Sequence, residues 1–360
     1  MISLYNSSCR RLAVTISGLC LLLACPAVAQ IYPPPAPSAD SVSRVDRSQE
    51  FAVPSVIGMG PSKGLVLHYE RVPHFNVNST SKSASLTDYN GQARKNGRFL
   101  VKAYAPLLNH PHLKLVLGIN YEREEFEFTP PANYELYQNL QDKGLKVLGT
   151  QLAVIRPIDD VNYFIFRVKG ELNGDYTSSE LSLNDYLKMS SEFIYGWKKT
   201  PSFSWGLGLQ LGYTFGRQSI YPALLYNRTF SERWGVEALF PARVTVRRNL
   251  SNKSLLFAGY SVDGFSYNIK LRNPIMNDKG QELKTLELRE TEVKGRLRWE
   301  REIYDFLWFG LEGGYRYNYA FDAYDRSNND RNKIIDSKLA DAPYASVELF
   351  IVPPRKFVKR

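Results

Sequence analysis

Residues 203–216 read FSWGLGLQLGYTFG. The odd positions carry Phe203, Trp205, Leu207, Leu209, Leu211, Tyr213 and Phe215. The even positions carry Ser204, Gly206, Gly208, Gln210, Gly212, Thr214 and Gly216. A period of two belongs to a strand, not a helix. The run is longer than an ordinary strand of about 5–6 residues. A soluble sheet would carry charge on its outer face, yet the small face here is mostly glycine. The stretch therefore admits two readings: a soluble sheet, or a strand crossing a membrane with its large face in lipid.

The N-terminus bears on that choice. MISLYNSSCRR carries Arg10 and Arg11, LAVTISGLCLLLA follows as a short apolar core, and Ala27-Val28-Ala29 gives a small-x-small pattern before Gln30. Residues 1–29 thus predict a cleaved secretory signal peptide. Ala24-Cys25 loosely matches a lipoprotein signal, which leaves lipidation of Cys25 as an alternative. Cys9, Cys20 and Cys25 all fall in the removed segment. A mature chain then has no disulfide framework, thiolate metal site or cysteine nucleophile. Removing Arg10 and Arg11 leaves 44 basic against 36 acidic residues. Export argues against nucleic acid as the partner of that charge and points to outer-membrane lipid and lipopolysaccharide. Beyond the signal no apolar run reaches the ~18 residues of a spanning helix, so any crossing falls to strands.

Residues 30–62 are rich in Pro and Ser and read as a periplasmic leader without a core. Residues 353–360 read as a basic periplasmic tail. Between them, over 63–352, alternation recurs. Leu113, Leu115, Leu117, Ile119 and Tyr121 oppose Lys114, Gly118, Asn120 and Glu122. Leu307, Phe309, Leu311, Tyr315, Tyr317 and Tyr319 oppose Glu312, Arg316 and Asn318. Alternation in segments of ~10 residues between turns is the signature of an outer-membrane barrel. Short turns at 108–111, 157–160, 199–201, 231–233 and 303–305 alternate with long polar loops at 73–96, 126–144, 174–185 and 322–341, as periplasmic turns and external loops do. All five tryptophans lie near short turns, while Tyr213, Phe215, Tyr317, Tyr319 and Phe321 lie at the opposite strand ends. Aromatic rings prefer the two membrane interfaces. The predicted girdle is Trp197, Trp205, Trp234, Trp299, Tyr317 and Tyr319; Trp308 falls on the other parity. The expected fold is an all-β, transmembrane, antiparallel up-and-down β-barrel of about 14 strands. It becomes 12 if 234–272 holds one strand rather than three.

Inward positions carry charge of both signs. The predicted lumen-lining residues are Glu122, Arg167, Lys169, Glu192, Glu237, Glu292, Lys294, Arg296, Arg298, Glu312 and Arg316. They either fill a narrow barrel with ion pairs or tune the selectivity of a polar pore. Parity slips near Arg289–Thr291, which predicts a bulge. His110 and His112 flank Pro111 in a short turn, too few ligands for a metal site. His68 and Glu70 share an inward face, but no serine motif accompanies them, so no catalytic residue is assigned. No phosphate-cradling loop or nucleotide fingerprint occurs, and no cofactor is expected.

Three pieces carry a resemblance: Tyr226–Pro241 (YNRTFSERWGVEALFP), Gly259–Tyr267 (GYSVDGFSY) and Asp341–Phe350 (DAPYASVELF). From about Gly64 to Pro353 the chain resembles an uncharacterised outer-membrane β-barrel family, a domain of unknown function, common in Bacteroidota. The resemblance implies the fold, an outer-membrane location and insertion by the barrel-assembly machinery; it brings no catalytic residue. The last strand ends near Val352 with PPRKFVKR after it, where many such barrels end on an aromatic residue. Phe350 and Ile351, or an internal signal, would stand in. The functional expectations are a passive pore for small polar or anionic solutes, or else a closed structural or binding barrel acting through its loops. A lipid hydrolase is the remaining alternative.

Overall fold

In the computed structural model the described residues are 52–129, 134–277, 279–326 and 332–354. The predicted signal peptide over 1–29, residues 30–51 of the predicted leader and the predicted tail from 355 lie outside them. The strands are β1 (Leu65–Val72), β2 (Phe75–Ser81), β3 (Tyr89–His110), β4 (Leu113–Thr129), β5 (Leu145–Pro157), β6 (Asn162–Gly174), β7 (Leu187–Thr200) and β8 (Phe203–Gly212). They continue with β9 (Ser219–Thr229), β10 (Trp234–Phe240), β11 (Arg243–Ser251), β12 (Ser254–Met276), β13 (Glu282–Tyr304), β14 (Leu307–Asp325), β15 (Lys333–Leu339) and β16 (Ala342–Ile351). Among the described residues two helices, α1 (Glu135–Lys143) and α2 (Leu183–Tyr186), lie in loops.

All sixteen strands form one sheet, and fourteen of them close it into a ring through β1–β16 and β1–β3. The segment 234–272 supplies three strands. β2 and β15 continue β1 and β16 after short breaks and pair with each other above them. The polar stretches 73–96 and 322–341 are therefore largely strand, not loop. The founding stretch is shorter than its alternation implies: β8 ends at Gly212, and Gly216 turns back at φ 73°. Leu207 and Leu209 point out and Ser204 and Gly206 point in.

The wall changes chemistry with height, and β4 shows where. Its lower outward positions, Leu115 to Tyr121, are apolar, and its inward Glu122 and Glu124 are buried. Two residues higher the faces exchange. Arg123, Glu125 and Glu127 now point outward and are 45%, 63% and 47% exposed, while Phe126 and Phe128 are buried inside. Lipid rewards apolar atoms outside; water rewards them inside. The switch therefore marks the membrane edge. Below it Leu67, Phe99, Ile119, Phe193, Leu209, Leu297 and Leu349 form part of an exposed apolar belt that no water-soluble surface carries at such extent.

Above the edge the strands enclose an ordinary hydrophobic core. Phe75, Val77, Phe126, Phe128, Leu286, Leu288, Phe321 and Ile335 pack there with Leu136, Tyr137 and Leu140 of α1. The helix offers that apolar face at i, i+1 and i+4 spacing, and Gly144 at φ 65° ends it. Phe321 corrects the sequence expectation of an outer girdle position. A register shift opposite Thr291/Glu292 leaves Tyr319 of β14 unpaired and turns the upper end of that strand around. The bulge predicted at Arg289–Thr291 is therefore on the neighbouring strand, and β13 keeps Leu288, Glu290, Glu292 and Lys294 on one inward face. The short wall β7–β11 stops lower, and β12 leans across to β6, bridging Asn268 to Gly174.

The girdle residues sit at the rims. Trp197 and Trp205 stack at 4.5 Å on neighbouring strands. Trp234 lies under Arg248, Trp299 donates its indole N–H to Ser254 Oγ, and Tyr317 and Tyr319 are exposed on the outer face. Trp308 points inward and stacks on Phe350.

Candidate functional site

The lumen below the apolar core divides into a dry layer and a wet chamber. The dry layer centres on Arg98, whose guanidinium meets Glu124 at 2.8 Å, Glu292 at 3.2 Å, Glu122 at 3.3 Å and Glu290 at 3.4 Å. Arg316 donates to Glu292 at 2.9 Å and to Asn96 at 3.0 Å. Lys294 reaches Glu70 at 2.7 Å and Glu292 at 3.3 Å. Buried charges persist when paired: Arg98, Lys294 and Glu292 each meet two or more opposite charges, and Glu122, Glu290 and Glu70 each meet one. Of this layer, Glu122, Glu292, Lys294 and Arg316 were on the predicted lining; Arg98, Glu290 and Glu70 were not. The inward parity of Arg98 in RFLVKAY carried the signal.

Nearer the short-turn end a second cluster forms. Arg298 donates to Glu300 at 2.7 Å and to Glu348, and meets Glu312 at 3.6 Å. Arg296 also meets Glu312 at 3.6 Å. Glu348 faces His68 at 3.4 Å, and Glu70 is taken by Lys294, so the two residues read as one inward pair have separate partners. The rings of His110 and His112 stack at 5.4 Å in the β3–β4 turn.

Opposite these clusters the low wall leaves a chamber. Arg167 faces Glu192 at 3.6 Å and is still 42% exposed; Lys169 pairs with Glu171 at 2.5 Å and is 32% exposed. An inward side chain with that exposure stands in water inside the barrel. The glycines of β8 keep this wall thin: an added Cβ on Gly208 would fall 1.9 Å from the Phe193 carbonyl. The chamber has a roof. The β8–β9 turn rests on β12 so closely that a Cβ on Gly264 would lie 2.2 Å from the Tyr213 carbonyl oxygen. Beside it the β6–β7 loop docks on β12. Asn268 donates to the Asp185 carbonyl, and Asp175 accepts the Lys270 N–H at 3.0 Å. Burial pushes the Asp175 carboxyl above its ordinary range, despite the hydrogen bonds it accepts.

A collar lines the other end. Residues 52–63 follow the inner rim from β6 round to β16. Ala52 N–H donates to the Asp159 carbonyl at 3.1 Å and Ile57 N–H to the Pro201 carbonyl at 3.0 Å. Lys198, Asn227, Thr229 and Asn249 donate to the carbonyls of Ser55, Pro54, Ile57 and Gly58 at 3.2, 2.9, 2.6 and 3.1 Å. Arg247, fully buried, sets this cradle: it pairs with Glu237 at 2.9 Å and donates to Asn249 at 2.7 Å and Thr229 at 2.9 Å. Lys63 ends the collar on Glu300 and Glu348 at 2.8 and 2.6 Å. The leader was expected to lack a core, and the rim lends it one: Ala52 is buried against Tyr163, Ile165 and Ile194.

The profile of a family described as a domain of unknown function (DUF6268) matches residues 125–351. No curated protein matches the chain in sequence. Among solved structures, the chain is similar to a FadL homologue of Pseudomonas aeruginosa at 10% identity and TM-score 0.37, covering 80% of this chain and 89% of that one. It is similar to the toluene transporter TodX of Pseudomonas putida at 8% identity and TM-score 0.33, covering 81% and 90%. A third is outer membrane phospholipase A of Escherichia coli, at 8% identity and TM-score 0.30, covering 83% and 94%.

Proposed function

The chain belongs to the DUF6268 family, and we propose that it works in the bacterial outer membrane as a barrel that passes small polar or anionic solutes through a passage shut at rest. One observation carries this reading. The inward cations Arg167 and Lys169 stand in water between a roof of loops and a collar of leader. A purely structural lumen has no reason to keep charges hydrated; a solute path does. Short turns and both described chain ends share one side, as on the periplasmic face of such barrels, so in this reading the collar faces the periplasm.

A second reading has its own support. The external core with α1 is packed wall to wall over the tall strands, which favours a closed barrel that binds partners through its outer surface. Under the first reading, solutes avoid that core and pass on the low-wall side, beneath the β8–β9 turn.

Planar-bilayer recording on refolded protein that shifts in gel mobility on heating separates the two. The passage predicts infrequent steps with anion preference in a salt gradient, weakened or reversed by Arg167→Glu with Lys169→Glu. Silence from folded protein at every voltage overturns it in favour of the closed binding barrel.

A further inference from the structure

We propose that the chamber holds a small oxyanion, a phosphate or carboxylate group, between Arg243, Arg296 and Arg167. Arg243 begins β11 at the lip of the low wall, with an inward parity and an exposed side chain. Register sets it across Ser261 from Lys294, with Arg296 at the next inward position of β13. On β12, Ser261 lies opposite Arg243 and Gly259 lies opposite Arg296, so the intervening strand sets only small side chains between the two. Arg167 comes from the facing wall; its charge, with those of Arg296, Glu237 and Asp263, acts on Arg243.

Three carboxylates nearby are already engaged. Glu237 is held by Arg247 at 2.9 Å, Glu192 by Arg167 at 3.6 Å, and Glu312 by Arg296 and Arg298 at 3.6 Å. Asp263 leans toward Lys294 at 4.0 Å. Among the described residues no carboxylate oxygen comes within 4.0 Å of Arg243. The Nε atoms of Arg167 and Arg296 are buried without an acceptor. Glu192 and Glu312 offset Arg167 and Arg296, so Arg243 adds a cation without a carboxylate partner beside them, and an anion among the three relieves that repulsion. Their planar forks suit the paired oxygens of a phosphate or carboxylate. The inference deepens the proposed passage by naming what its basic chamber takes, and it rests on that chamber being wet.

The test is calorimetric titration of inorganic phosphate into folded, full-length protein in a phosphate-free non-ionic detergent, with chloride balancing ionic strength. Saturable binding is expected. Arg243→Gln weakens it about tenfold or more, because a charge-assisted fork is lost. Arg243→Lys, which keeps the charge without the fork, falls between. Lys284→Gln, exposed on the outer rim, leaves it unchanged. Absence of saturable binding by folded wild type, or equal binding by Arg243→Gln, overturns the site. So does Arg243-dependent binding of phosphatidylglycerol in micelles without binding of free phosphate, which would make the ligand a lipid headgroup. Binding needs no bilayer crossing, so phosphate binding with a silent bilayer defeats the passage and keeps the site; conductance without phosphate binding does the reverse.

Discussion

Gly58 and Arg247 fit each other closely: a Cβ on Gly58 would stand 2.9 Å from Arg247 Nη1, and Gly58 has φ 77°, where side chains are rarely tolerated. Arg247 cannot yield easily, because Glu237, Asn249 and Thr229 fix its guanidinium. Gly58→Ala should therefore free the collar and leave the barrel intact. Limited proteolysis reads this directly. Cleavage within 52–63 should become much faster while the heat-modifiable barrel band persists; an unchanged cleavage rate would show that the collar is not held at Gly58.

Arg98 stands among four buried glutamates. Arg98→Met leaves their charge uncompensated in a dry layer, and breaking a buried ion cluster in this way costs about 3–5 kcal/mol. The midpoint of urea unfolding from lipid vesicles should fall accordingly. A loss below about 1 kcal/mol, the scale of an exposed pair, would show that water reaches the layer.

The exchange of faces along the wall predicts opposite responses above and below the membrane edge. Leu209→Arg puts a guanidinium in the lipid belt and should cost about 2–4 kcal/mol if near mid-depth. Glu125→Leu lies above the edge, on a face bathed by water, and should change stability by no more than about 1 kcal/mol. The same unfolding assay measures both. Equal responses would misplace the edge on β4.

The membrane-crossing part of the fold was legible in the sequence because lipid imposes one rule: large apolar residues out, small or charged residues in. Leu207 and Leu209 and Leu115 to Tyr121 followed it, whereas the apparent slip at Arg289–Thr291 was the change from charged to apolar inward residues (Glu292 and Glu290, then Leu288 and Leu286) on an unbroken β13. The upper storey was not legible, because above the edge the rule inverts. FNVNSTS in β2 puts Phe75 and Val77 inward, so with a polar outer face it reads as loop. Phe321 kept an aromatic identity suited to a girdle, and only the register shift below it shows that it turns in. The lumen was half legible. Parity marked Glu122, Arg167 and Lys294 as inward, but which cation meets which carboxylate depends on strands far apart in the chain, as Arg98 and Glu292 are. The collar offered no periodic signal, since its backbone carbonyls carry most of its contacts.

The proposed passage requires a lumen shut at rest by loops resting on β12. Single-channel recording of wild type beside Gly264→Val tests this most directly, with folding of both confirmed by heat-dependent gel mobility. The valine collides with the Tyr213 and Thr214 carbonyls and should lift the β8–β9 turn. Wild type should then open rarely, and the variant should show frequent, stable, anion-preferring steps. Continuous opening of wild type at the variant's level, or silence from both folded proteins, would contradict the account.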